Sequence, residues 1–171
     1  MRLHRAVPDA RPRALRSSAR RFTPLVALVL CLLGWTSGAE ETIEKRMDFL
    51  FGEHEKHLAF FHELKDSVVR DDKRAVAGLV RYPLNVFVGG RRTVVRSPAE
   101  LVKRYHEVFN DNVVGAVKAQ EADALFANWR GVMLGHGQVW FAGICAAKNR
   151  DKPCADMAIK VIAVNTNAPG T

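Results

Sequence analysis

From Ile43 to Val69, apolar residues recur at Ile43, Met47, Leu50, Phe51, Leu58, Phe61, Leu64 and Val68, spaced by threes and fours. That period predicts an amphipathic helix with one apolar stripe, broken near Gly52. Asp71-Asp72 supplies a cap for a second, short helix over Lys73 to Val80, with Ala75, Val76, Leu79 and Val80 facing inward. Tyr82-Pro83 is expected to end it, because the residue before a proline is pushed out of the helical region.

The period then changes to two. Leu84–Val88 and Thr93–Arg96 are β-branched runs around Gly89-Gly90-Arg91-Arg92, the pattern of a hairpin. Ser97-Pro98-Ala99-Glu100 combines a capping serine, a proline at the first helical position and a glutamate three residues after the cap. The helix it opens is predicted to run to about Phe109, with Leu101, Val102, Tyr105, Val108 and Phe109 inward, and a further short helix is expected over Val113 to Gln120. Leu125–Trp129, Val132–Leu134, Gln138–Cys145 and Ala158–Asn165 are strand candidates, and residues 166–171 read as a frayed tail. Helices, a hairpin, a helix and then antiparallel strands make an α+β order.

The 171 residues suit one domain, and 48% apolar with 26% charged residues excludes disordered and multi-pass membrane classes. The net charge of +8 invites a nucleic-acid reading until the charges are located. Seven of the 26 basic residues and one of the 18 acidic residues fall in residues 1–39, which leaves a balance of only +2 for the rest. A nearly neutral body has no field with which to gather phosphates, so no nucleic-acid partner is expected.

Those first 39 residues read as a secretory signal. A basic, acid-poor stretch to Arg21 precedes the apolar run Leu25–Trp35, and Ser37-Gly38-Ala39 follows with small residues at the −3 and −1 positions. The run is too short to span a bilayer, for which about 20 apolar residues are needed. No membrane span is therefore expected after cleavage. Arg20-Arg21-Phe22 matches a twin-arginine signal only loosely, and Leu30 before Cys31 does not suit a lipoprotein site. The expected organisation is a signal over 1–39, a domain over 40–165 and the tail. Export leaves two cysteines, Cys145 and Cys154, and a disulfide between them is the favoured reading over a metal site, since C-x8-C matches no zinc pattern.

Arg81-Tyr82-Pro83-Leu84 leading into a strand, Ser97-Pro98-Ala99-Glu100-Leu101-Val102 opening a helix, and Leu125-Phe126-Ala127-Asn128 followed by Gly131–Phe141 carry a resemblance. Over about residues 54–165 the chain resembles the nuclear transport factor 2-like superfamily, and within it small exported bacterial proteins of unsettled function. The resemblance implies N-terminal helices packed on a curved antiparallel sheet that forms a cone, and a periplasmic or secreted location. Cones of this type host enzymes, binding modules and docking domains alike, so fold does not decide activity.

Candidate chemistry is sparse. His54, His57 and His62 share a helix with Glu53, Glu55 and Glu63, but His54-Glu55-Lys56-His57 is not H-E-x-x-H, and a solvated helix face explains the cluster without a metal. An enzyme reading would take His106 as base with Tyr105 and Asn128 orienting a substrate, on condition that His106 points into a cavity. No carboxylate sits in an apolar strand run, which weakens that reading. Without a serine nucleophile motif or a free thiol, catalysis is not the favoured function. The expectation is a domain that holds a small apolar ligand against Tyr82, Phe87, Tyr105, Asn128, Trp129 and Trp140, or docks an envelope protein on its sheet, without a cofactor. Inhibitor and homodimer readings stay open beside it. Arg91, Arg92 and Arg96 with Lys103 and Arg104 form a local basic patch, read either as a solvated hairpin tip or as a surface for an acidic partner or an anionic surface.

Overall fold

The computed structural model describes residues 41–145 and 157–169. The expected signal over 1–39 and Cys154 lie outside the described residues. The first predicted helix is two: α1 (Ile43–Phe51) and α2 (Glu55–Val69). Thr42 caps α1 by accepting from the Lys45 N–H, and Gly52 ends it in the left-handed region at φ 88°, where its N–H reaches the Asp48 carbonyl. Asp72 caps α3 (Lys73–Gly78) through the Ala75 N–H at 2.9 Å.

Only Leu79 separates α3 from β1 (Val80–Val88), so the strand begins four residues earlier than expected and contains Tyr82-Pro83. Proline offers no ladder donor, and it sits where pairing between β1 and the last strand is interrupted, between Val80 and Asn85. β2 (Arg91–Val95) pairs back on β1 through a two-residue turn, Gly89-Gly90, both at positive φ. Arg91 and Arg92 thus belong to the strand rather than to the loop.

Ser97 caps α4 (Pro98–Lys103) at the Glu100 N–H, and the Glu100 carboxylate reaches back to the Arg96 N–H at 2.8 Å. The single helix expected to Phe109 breaks at Arg104 (φ −105°, ψ 21°) and resumes as α5 (Tyr105–Val108). Asn110 then caps α6 (Asp111–Ala119). The remaining strands are β3 (Phe126–Asn128), β4 (Gly131–Leu134), β5 (Val139–Cys145) and β6 (Met157–Asn165).

The fold is α+β, with one six-stranded sheet in the order β2-β1-β6-β5-β4-β3. The sheet is mixed, which corrects the antiparallel expectation: β6 runs antiparallel to β5 and parallel to β1. β1 spends one edge on its hairpin with β2, and the last strand fills the other edge from a distant part of the chain. Its direction there is set by β5, not by β1.

The inner face of the sheet buries Leu84, Val86, Val132, Leu134, Phe141 and Val161. Phe61, Leu64 and Tyr105 from the helices, with Phe109 just after α5, close over them, and the Phe60 ring lies 5.1 Å from that of Phe141. Gly131 is required here, because a Cβ would collide with the Phe141 carbonyl.

The expected frayed tail is tied down as far as Pro169. Thr166 N–H donates to the Phe87 carbonyl at 2.9 Å, Asn112 Nδ2 donates to the Thr166 and Ala168 carbonyls, and Gln138 Nε2 donates to the Pro169 carbonyl at 2.7 Å. Among the described residues no helix is long and apolar enough to cross a membrane.

Candidate functional site

Alternation along each strand sends half of its side chains away from the helices. The register aligns these into one row across all six strands: Val94, Asn85, Ala163, Trp140, Met133 and Phe126. Each is half-buried or exposed, and five of the six are apolar. A cleft of about 230 Å³ lies on this face, lined by Phe87, Gly137, Trp140, Ala163, Val164 and Asn165. β6 separates β1 from β5, so the small side chain of Ala163 leaves the gap between the two aromatic residues.

The six strands carry Arg81, Arg91, Arg92 and Lys160 and no acidic residue. Arg81, Arg91 and Arg92 are exposed and make no ion pair among the described residues. Lys160 instead donates to the Gly78 carbonyl at 2.7 Å. On the helices, Arg104 bonds Glu107 and Glu100, and Lys56 bonds Glu53.

The expected ligand set is divided between surfaces. Phe87 and Trp140 share the cleft. Tyr82 does not reach it: its hydroxyl donates to the Ala77 carbonyl at 3.0 Å, and burial pushes its pKa up to about 12. Tyr105 is 2% exposed in the core, stacked on Phe109, and its hydroxyl has no hydrogen-bond partner among the described residues. Burial, reinforced by Asp71 and Asp72, raises its pKa to about 12.

Asn128 ends β3, and Trp129 belongs to the β3–β4 turn. Asn128 Oδ1 accepts from the Arg130 N–H, and Trp129 is 78% exposed beneath the Arg130 guanidinium. Trp129 borders a different groove, of about 350 Å³, with Phe49 on α1.

The base assigned to His106 fails on its own condition. The residue is exposed, and its Nε2 lies 2.8 Å from Lys73 Nζ. Tyr105 meets it edge-on at 5.5 Å, but Asn128 is on β3 and none of the three lines a common space. A groove of about 570 Å³ runs between α2, α3 and β6 and contains none of them.

The histidine cluster is also divided. His62 is exposed, whereas His57 is buried, stacked on Phe51 at 4.5 Å, and its pKa is lowered by desolvation, partly offset by its bond to the Glu53 carbonyl. His54 bonds Asp48 at 2.9 Å, which raises its pKa, and Asp48, His54 and Glu55 form a compact exposed group.

Cys145 ends β5 directly across from Met157, three residues after Cys154 in sequence. Sequence reasoning did not single out for the site Asn85, Val94, Phe126, Met133 and Ala163 of the row, nor Gly137, Val164 and Asn165 of the cleft. The row's only local signal is strand alternation; what unites it is the register. No protein-family model, no curated protein and no solved structure matches the chain.

Proposed function

We propose that this chain is an exported, non-catalytic interaction domain that docks a protein on the open face of its sheet. The observation that carries the reading is the row Val94–Asn85–Ala163–Trp140–Met133–Phe126, which crosses the full sheet and leaves apolar groups half in water. Scattered exposed apolar residues need no explanation, but a contiguous set does. The core under the sheet is filled by large buried side chains such as Tyr105, Phe109 and Phe141, and the cleft on the open face is smaller than the roughly 300–1,000 Å³ of ordinary ligand pockets. A protein side chain fits that cleft better than a free ligand does.

Export, a periplasmic or secreted location and the Cys145–Cys154 disulfide are parts of the same proposal, and so is the resemblance to the nuclear transport factor 2-like cone. They rest on the basic, apolar and small-residue order of residues 1–39, on the cysteine spacing, and on an α+β fold with its helices on one side of the sheet.

The test is recovery of affinity-tagged protein from its native envelope. A discrete partner that is lost with Trp140→Lys and kept with Glu63→Lys, which changes the opposite side, is expected. A partner held equally by both variants would contradict docking on this face. A second reading, an apolar ligand in the 570 Å³ groove between α2, α3 and β6, is favoured by that groove's size alone. Native mass spectra would reveal it as added mass that disappears on denaturation.

A further inference from the structure

We infer that the β2 edge of the sheet is a pairing site for an extended, acidic segment of another protein. The inference extends the docking reading from the open face to the adjoining edge. Among the described residues β2 is a terminal strand, bonded to β1 on one side only, and from Arg91 through Val94 it is exposed or half-exposed. Its free side therefore presents backbone donors and acceptors that another strand can take up.

Two features select the occupant. First, the edge is cationic: Arg91 and Arg92 lie on it, and no described strand of the sheet contributes an acid to neutralise them, whereas Arg96, which follows, has the Glu100 carboxylate at its backbone N–H. Arg91, Arg92 and Arg96 make no ion pair among the described residues. Charged edges keep sheets from joining one another, so a second copy's β2 would meet like charges directly opposite. An acidic strand turns the same arrangement into attraction, with faster encounter and rejection of basic competitors.

Second, the register gives the partner a pattern. Arg92 stands opposite Phe87 and Val94 opposite Asn85, on the same side of the sheet as the apolar row. A strand added beside β2 would place one residue next to Arg92 and another, two positions along, next to Val94. The matching segment carries an acidic and an apolar residue two positions apart, pointing the same way. Its apolar residue would continue the row that Val94 begins.

The experiment measures binding to the protein of a short fluorescein-labelled peptide of Glu-Thr-Val-Thr repeats, in which glutamate and valine stand two positions apart on one face of the strand. A lysine-for-glutamate counterpart and phosphatidylglycerol–phosphatidylcholine vesicles serve as the other two probes. The acidic peptide is expected to bind, with affinity that falls as salt rises. Arg91→Glu/Arg92→Glu is expected to lower that affinity by about tenfold or more and to favour the lysine peptide. Arg91→Gln/Arg92→Gln should lie between them, and circular dichroism checks that each variant is folded. Equal binding of both peptides, no binding of the acidic one, indifference to charge reversal, or binding of vesicles alone would each overturn the inference. The face reading stands or falls separately, on the Trp140→Lys comparison above.

Discussion

Phe87 on β1 and Trp140 on β5 line the same cleft, with Ala163 of the intervening strand between them. The arrangement depends on a small residue at 163, because Ala163 sits directly beside both Asn85 and Trp140. Ala163→Leu is therefore expected to fill the cleft from the solvent side and to abolish partner capture. The fold should be preserved within about 1 kcal/mol, since the position is half-buried and the added methylenes have open space. Urea unfolding and partner recovery, measured on the same preparation, check both halves of the statement.

His57 makes stability depend on pH. Its folded pKa is depressed by desolvation, so the stability linked to this group is present above the ordinary value near 6.5 and is lost as pH falls through the folded value. His54 works in the opposite sense: its raised pKa favours the folded state below its ordinary value, and that contribution is lost as pH rises through the folded value. Lys56 lowers the His57 pKa slightly and Glu53 raises it. The expected outcome is that His57→Gln flattens the fall in unfolding free energy as pH drops below about 6.5, whereas His54→Asn removes a fall that sets in as pH rises above about 6.5. Denaturant melts at a series of pH values decide the matter.

Gln138 fastens the end of the chain to the sheet. It is fully buried, accepts from the His136 N–H at 2.6 Å and donates to the Pro169 carbonyl at 2.7 Å. Gln138→Leu keeps most of the volume but strands both groups, a loss of roughly 1–3 kcal/mol. Hydrogen exchange should rise at His136 and across residues 166–168, while the α1–α2 amides stay protected.

The proposed Cys145–Cys154 disulfide predicts a second stability effect. Oxidised protein should weigh two hydrogens less than the reduced form, and reduction should cost roughly 2–3 kcal/mol in the chain-entropy model for so short a loop. An unchanged mass and an unchanged unfolding midpoint under reductant would contradict the pairing.

Much of the fold is legible in the sequence because local chemistry announces it. Ser97-Pro98-Ala99-Glu100 and Asp72 mark helix starts, Gly52 marks a stop, and Gly89-Gly90 marks the tight turn. What escapes is non-local. Nothing near β1 or β6 in sequence specifies that they pair in parallel, and Arg104 breaks a helix without glycine or proline to show it.

The candidate site shows the same division. Phe87 and Trp140 stand out as strand aromatics, but which face they share follows only from the register. Tyr105 reads as an inward residue and is one, yet being inward places it in a filled core rather than a cavity. His106, its neighbour in sequence, points to solvent and Lys73. The terminal residues read as polar and loose because their anchors, Asn112 and Gln138, are contributed by distant elements.

The most direct test of the docking claim is site-specific photo-cross-linking in cells that express the protein, with a benzophenone side chain at Met133 and, as control, at Glu63. Met133 sits in the middle of the apolar row between Trp140 and Phe126, whereas Glu63 borders the groove of α2, α3 and β6. Docking on the open face predicts a discrete protein adduct at Met133 and none at Glu63. Adducts at Glu63 alone, or at neither position, would contradict it.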